Sequence, residues 1–218
     1  MKRVTVVTDE EAAARAAAEI IATAIEGGAR TVVLAGGSTP RRCYEALAGR
    51  PLPWGRVSIL FGDERCVPPL DPESNYRMVR DSLLGAIAPA SIHRIPAELG
   101  PEEGATAYEP VLERCGPLDF VLLGMGPDGH CASLFPEHPA LHSQQWVVPV
   151  RGAPKPPPDR VSLSLRSLRA ARRVLFLVTG TAKATAVTRA RLGEVPAGLI
   201  PEAEWLLDEA AASLLGSP

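Results

Sequence analysis

Short, mostly apolar runs alternate along the chain with longer stretches whose apolar residues recur at helical spacing. Strands are predicted over 3–7, 31–34, 57–61, 119–123 and 173–178, with a last short one at 205–207. The runs at 119–123 and 173–178 are apolar after their first residue, as expected of strands buried on both faces. Residues 161–165 read Val-Ser-Leu-Ser-Leu, a period of two that predicts one wet face. Helices are predicted from Thr8 to the stop at Gly27-Gly28, from Pro40 to about Leu47, over 75–84, 102–114 and 181–192, and again at the end. Thr8 and Glu11 have capping-box spacing, with acids in the first turn.

This alternation predicts an α/β fold with a largely parallel sheet covered by helices on both faces. Ligands bind at the carboxyl ends of such strands. That rule directs attention to 35–40, 62–67, 124–133 and 179–183, all polar or glycine-rich. Residues 149–158 hold five prolines and are the best linker candidate. Too little chain follows them to build a separate core. One domain over 1–218 with a stiff connector is therefore expected.

Charge and cysteine content narrow the partners. With 23 basic and 25 acidic residues among 218, the chain is near neutral, which argues against nucleic acid and anionic membranes but allows a local basic pocket. No apolar run approaches the ~18 residues of a membrane span. The basic opening Met1-Lys2-Arg3 leads within five residues to Asp9-Glu10-Glu11, so it does not read as a signal peptide. Four cysteines without a CxxC pair predict free thiols and a cytoplasmic setting.

Several rim loops carry candidate chemistry. In Gly36-Gly37-Ser38-Thr39-Pro40 a strand ends and a helix begins; Pro40 suits the first helical position, making Thr39 the expected N-cap. The loop reads either as an anion site built on free amides and two hydroxyls or as a plain capped turn. In Gly124-Met-Gly-Pro-Asp-Gly-His130, three glycines expose Asp128 and His130. Asp128 is either the acid that orients the imidazole or an Asx-turn cap. Asp63-Glu64-Arg65 follows another strand and would share that rim. Lys183 opens a helix, where a cation opposes the macrodipole and wants an anionic partner. Arg160, Lys183, Ser38 and Thr39 together would make a phosphate pocket. His138 and His142 have i, i+4 spacing, but Pro136 and Pro139 spoil a helix there, and the scattered cysteines are commoner as buried bystanders than as zinc ligands.

Taken in order, these segments resemble the 6-phosphogluconolactonases, in the superfamily that also contains glucosamine-6-phosphate deaminases. The resemblance rests on Gly36-Gly37-Ser38-Thr39-Pro40, Asp63-Glu64-Arg65 with Val67-Pro68, Ser74-Asn75-Tyr76, Leu123 through His130 into Ala132-Ser-Leu-Phe-Pro136, and Val178-Thr-Gly-Thr-Ala-Lys183-Ala184. Arg65 stands where the deaminases have an aromatic residue. Cys131-Ala-Ser-Leu-Phe replaces their Ile-Ala-Phe-Asn-Glu, so the chain looks like the lactonase branch. Cys131 departs from the threonine usual there.

The resemblance implies a Rossmann-like sheet and hydrolysis of 6-phospho-glucono-δ-lactone in the pentose phosphate pathway. A lactone is an activated ester, so no metal or cofactor is expected. His130 would take a proton from attacking water, Asp128 would orient it, Arg65 would offset charge on the carbonyl oxygen, and Asp63 would contact sugar hydroxyls. The phosphate would rest on Gly37, Ser38, Thr39, Arg160 and Lys183. The sugar-phosphate lactone is the one partner expected of a chain read as a monomer. Rival readings are a deaminase-like sugar-phosphate isomerase and a non-catalytic sugar-phosphate sensor, although a sensor has no use for an Asp128–His130 pair.

Overall fold

The computed structural model describes residues 3–216; Met1 and Lys2 of the basic opening lie outside them. The elements run β1 (Arg3–Val7), α1 (Glu10–Glu26), β2 (Thr31–Leu34), α2 (Ser38–Ala48), β3 (Ser58–Phe61), β4 (Asp63–Arg65), α3 (Asn75–Val79), β5 (Ser91–His93), α4 (Pro101–Cys115) and β6 (Phe120–Leu123). They continue with β7 (Val147–Val150), β8 (Arg160–Leu163), α5 (Leu165–Ala170), β9 (Val174–Val178), α6 (Ala184–Arg191), β10 (Glu204–Asp208) and α7 (Glu209–Ala212).

Seven strands form a parallel sheet in the order β1-β10-β9-β6-β2-β3-β5. Every residue of β6 and β9 is buried, as their unbroken apolar runs require. Trp205 of β10 stacks on Phe176 of β9 with centroids 4.2 Å apart. From β2 the chain winds outward to β3 and β5. It then returns through α4 to β6, on the other side of β2. The sheet therefore reverses direction between β2 and β6, which opens a crevice at their carboxyl ends. At the amino ends, Asp119 closes the same pair by accepting the Arg30 and Thr31 amides at 2.8 and 3.1 Å.

Helix α1 shows how composition becomes packing. Ala13, Ala14, Ala17, Ala18, Ile21, Ala22 and Ile25 form one buried stripe, and the small alanines allow close approach to the sheet. Its cap is Asp9, not Thr8: the Asp9 carboxylate accepts the Ala12 amide at 2.7 Å. A carboxylate directly before the helix is the better acceptor and takes the place expected of the hydroxyl. The expected helix over 75–84 is α3 followed by a π-type turn over Arg80–Leu84, where the Gly85 amide reaches the Arg80 carbonyl at 3.1 Å. The helix expected from 181 begins as a tight turn over Thr181–Lys183 before α6.

Two expectations fail at a second, three-stranded sheet of order β4-β8-β7, which is antiparallel throughout. The proline stretch is no connector. It overlaps β7 and forms the loop of the β7–β8 hairpin, with Val150 opposite Arg160. Nor does β8 have a wet face, since all four of its residues are buried. Its serine alternation has an internal cause. Ser162 Oγ accepts the Ser133 amide at 3.1 Å and donates to the Leu163 carbonyl at 2.9 Å. The next serine, Ser164, caps α5.

Candidate active site

The crevice between β2 and β6 is a cavity of about 330 Å³, roofed by the small antiparallel sheet and its proline loop. The loop after β2 supplies its floor. Buried Tyr44 of α2 pins that loop by accepting the Ala35 amide and donating to the Ala35 carbonyl, both at 2.8 Å. Helix α2 starts at Ser38, with Gly37 at its N-cap in a positive-φ conformation (112°). This corrects the expected start: Pro40 lies in the first turn, not at its first position, and Thr39 is not the cap. The amides of Ser38 and Thr39 have no intrahelical partner and face the anion-favouring end of the dipole. Thr39 is less free than expected, because Oγ1 donates to Glu10 at 3.1 Å and lies 2.8 Å from Thr179 Oγ1.

The loop after β6 presents the imidazole. His130 Nδ1 donates to Asp128 Oδ1 at 2.5 Å, which leaves Nε2 as an acceptor on a residue that lines the cavity. The glycines have a concrete reason to be there. A Cβ on Gly126 would lie 2.1 Å from the imidazole, and one on Gly129 would strike Val195 at 2.4 Å. Phe135 packs on the ring at 4.5 Å. Burial lowers the His130 pKa below the usual 6.5, against the opposing pull of Asp128. Burial also pushes the Asp128 carboxyl up, but His130 and then Lys155 outweigh it and leave its pKa below the ordinary value. Asp128 thus favours its ionised form and accepts from the imidazole as well as lying at the turn. Ala132, also on the cavity wall, is held at φ 48°, a strained conformation for a residue with a Cβ.

Strand β4 brings Asp63 and Arg65 to the opposite wall. Asp63 is committed within the protein: it accepts from Ser133 Oγ at 2.6 Å and from Asn75 Nδ2 at 3.2 Å. Arg65 donates through Nη1 to the Glu73 carbonyl, while its buried Nε has no partner. Between them, Glu64 is buried and anchors the start of α3. Its carboxylate accepts the amides of Arg65, Asn75 and Tyr76 at 2.9, 2.7 and 2.8 Å and the Ser74 hydroxyl at 3.0 Å. Burial nevertheless raises its pKa above the usual carboxylate value, only partly countered by those amides.

Lys183 and Arg160 both line the cavity, as expected of phosphate ligands. Arg160 is largely occupied, however: Nε donates to the Pro157 carbonyl and Nη2 to the Lys155 carbonyl, each at 3.0 Å. Burial lowers the Lys183 pKa, and the neighbouring Lys155 lowers it further. Asn75, Thr179 and Lys155 are wall residues that sequence reasoning passed over as site residues. Lys155 was obscured because the prolines around it read as a linker. Cys131 is fully buried, with its thiol pushed up to about 12 by burial, and forms no part of the cavity wall. His138 is engaged at both ring nitrogens, by the Ala140 amide at 3.1 Å and the Arg151 carbonyl at 3.0 Å.

Four cations, Arg65, Lys155, Arg160 and Lys183, therefore surround one imidazole–carboxylate pair in a space suited to a small anionic molecule. Residues 8–207 match the family model described as glucosamine-6-phosphate isomerases/6-phosphogluconolactonase. The chain is 41% identical to a 6-phosphogluconolactonase of Streptomyces coelicolor, over 94% of this chain and 90% of that protein. It is 39% identical to one from Mycobacterium leprae, over 93% and 92%. The solved structure of 6-phosphogluconolactonase from Trypanosoma brucei superposes with a TM-score of 0.90 at 27% identity, covering 99% of both chains.

Proposed function

The chain belongs to the glucosamine-6-phosphate isomerase/6-phosphogluconolactonase family, and we propose that it is a lactonase that hydrolyses 6-phospho-glucono-δ-lactone to 6-phosphogluconate. The observation that carries this reading is the Asp128–His130 pair, with His130 on the wall of a cation-lined cavity. Nε2 takes a proton from water as the water oxygen attacks C1. Asp128 stabilises the imidazolium that forms. The tetrahedral intermediate then collapses, the C1–O5 bond breaks, and the imidazolium returns the proton to the departing ring oxygen. The acid product ionises to the carboxylate.

Arg65 is assigned to the developing oxyanion by its charge and its place on the cavity wall opposite the imidazole. The phosphate rests against the Gly37, Ser38 and Thr39 loop with Lys183 beside it. Arg160 contributes charge at that wall and holds the proline loop. Asp63 supports the wall through Ser133 and Asn75, and a spare lone pair remains for a sugar hydroxyl. General-base catalysis typically supplies ~10²–10⁴-fold, and phosphate anchoring supplies part of the rest by fixing C1 near the base. A role in the pentose phosphate route follows from this substrate. Free thiols at Cys43, Cys66, Cys115 and Cys131 suit a reducing compartment such as the cytoplasm.

The test offers the purified protein the phospholactone and glucosamine 6-phosphate side by side. Rapid hydrolysis of the first without ammonia release from the second is expected. The reverse would assign the deaminase reaction, and binding without turnover of either would make the chain a sensor.

A further inference from the structure

The proline loop places a third charge beside the imidazole–carboxylate pair. Lys155 Nζ lies 3.7 Å from Asp128 Oδ1, the same oxygen that receives His130 Nδ1. The position of Lys155 is built. Pro154, Pro156, Pro157 and Pro158 fix the backbone angles around it. Arg160, buried on β8, holds the loop from inside by donating to the carbonyls of Lys155 and Pro157 at 3.0 Å each. The Ala153 amide closes the loop on the Pro158 carbonyl at 2.8 Å. The Lys155 side chain remains partly in water, with 42% of it exposed.

We propose that Lys155 is a positioning residue for the Asp128–His130 pair: its ammonium shares the Asp128 carboxylate and so weakens the pull of that carboxylate on a proton at His130. The inference rests on the reading of His130 as general base. An ionised Asp128 stabilises the imidazolium and so works against the burial that keeps the ring neutral. A cation on the same oxygen weakens that pull and repels a proton on the ring. The other charges around the ring are few. Asp63 faces it from β4 and favours the imidazolium. Lys183, from the turn before α6, is coupled to Lys155 and Asp128. Arg160 sits 5.6 Å over the Phe135 ring that covers the imidazole. Among these, Lys155 is the cation in contact with the orienting carboxylate. Burial is the larger influence on both groups, raising the Asp128 pKa and lowering that of His130, and Lys155 lowers both.

Lys155→Met and Lys155→Arg test the assignment through two readouts, the proton NMR titration of the His130 ring and the pH profile of kcat/KM. In Lys155→Met both the His130 titration and the acid limb move to higher pH. The rate at pH 6 falls about two- to fivefold, and at pH 8 it changes less than about twofold, the size expected of a half-exposed ion pair. Lys155→Arg stays close to the parent on both. The substrate phosphate titrates near pH 6 in every variant, so differences between variants belong to the protein. An unmoved His130 titration overturns the proposal, as does a loss equal at both pH values, which would mark Lys155 as a plain substrate ligand. A His130 titration that moves while the acid limb stays fixed would uphold the coupling and instead remove His130 from the role of base.

Discussion

Arg65 and Arg160 stand directly opposite each other across the β4–β8 ladder. Like charges so placed repel, and the protein separates their tasks. Arg160 turns its fork to the carbonyls of the proline loop, whereas Arg65 gives one nitrogen to the Glu73 carbonyl and keeps Nε unpartnered. The result is a positive ridge on the cavity wall.

Because its fork is less committed to the loop carbonyls, Arg65 is the sharper target of the two. Arg65→Tyr, which installs an aromatic side chain of the deaminase kind, should lower kcat/KM for the phospholactone by about 10²–10³-fold, the usual cost of losing an oxyanion donor. Steady-state rates corrected for spontaneous hydrolysis decide it. Wild-type rates would reduce Arg65 to a rim charge.

His130→Ala should lose about 10²–10⁴-fold in turnover while still binding 6-phosphogluconate in calorimetry. The pH dependence follows from the same residue. Its pKa lies below 6.5 because burial disfavours the imidazolium. The free base therefore persists to lower pH than in an exposed histidine, and the acid limb of kcat/KM should fall below pH 6.5. Stability has the same sign. A histidine lowered by folding binds protons more readily when unfolded, so its contribution is complete above its unfolded value and declines as the pH falls toward the folded one. Chemical denaturation at pH 7 and pH 5, compared between the parent and His130→Ala, measures it. A larger loss in the mutant on acidification would contradict the sign.

Lys183 bears on the phosphate alone. A charged hydrogen bond is worth roughly 1.5–3 kcal/mol, so Lys183→Ala should cost about 10- to 150-fold in kcat/KM for the phospholactone. Unphosphorylated glucono-δ-lactone makes no such contact and should be hydrolysed at nearly the parent rate. Equal losses on both substrates would move Lys183 out of the phosphate pocket.

Gly36 and Asn75 define the tightest joint in the site. A Cβ at position 36 would fall 2.0 Å from Asn75 Oδ1, and Asn75 in turn holds Asp63. Gly36→Ala should destabilise by roughly 1–3 kcal/mol and depress kcat on phosphorylated and unphosphorylated lactones alike. Thermal unfolding together with the two rates checks this. An unchanged Tm would show that the loop can spread.

The parallel sheet was legible because β2, β6 and β9 are apolar in unbroken runs, and because each strand end announces itself with glycine and polar residues. His130, Asp128, Ser38 and Lys183 followed from that rule. What stayed hidden depends on contacts distant in sequence. The Asp9 cap is the local exception, an i to i+3 contact in which the carboxylate takes the place expected of the Thr8 hydroxyl. The buried serines of β8 look like a wet face until Ser133 is brought to Ser162. Residues 149–158 read as a linker because they hold five prolines, yet they span the end of one short strand and the loop to the next, and that hairpin carries Lys155 into the site.

The crevice is a seam. One lip, from the parallel sheet, bears the proton-handling pair and the phosphate loop; the other, from the antiparallel sheet, bears Arg65, Arg160 and, through its hairpin, Lys155. The two lips are encoded in interleaved but separate stretches of chain. The two are laced together: Asp63 on one lip receives the Ser133 hydroxyl from the segment that follows His130 on the other, so a change in the 63–65 strand is felt at the histidine loop.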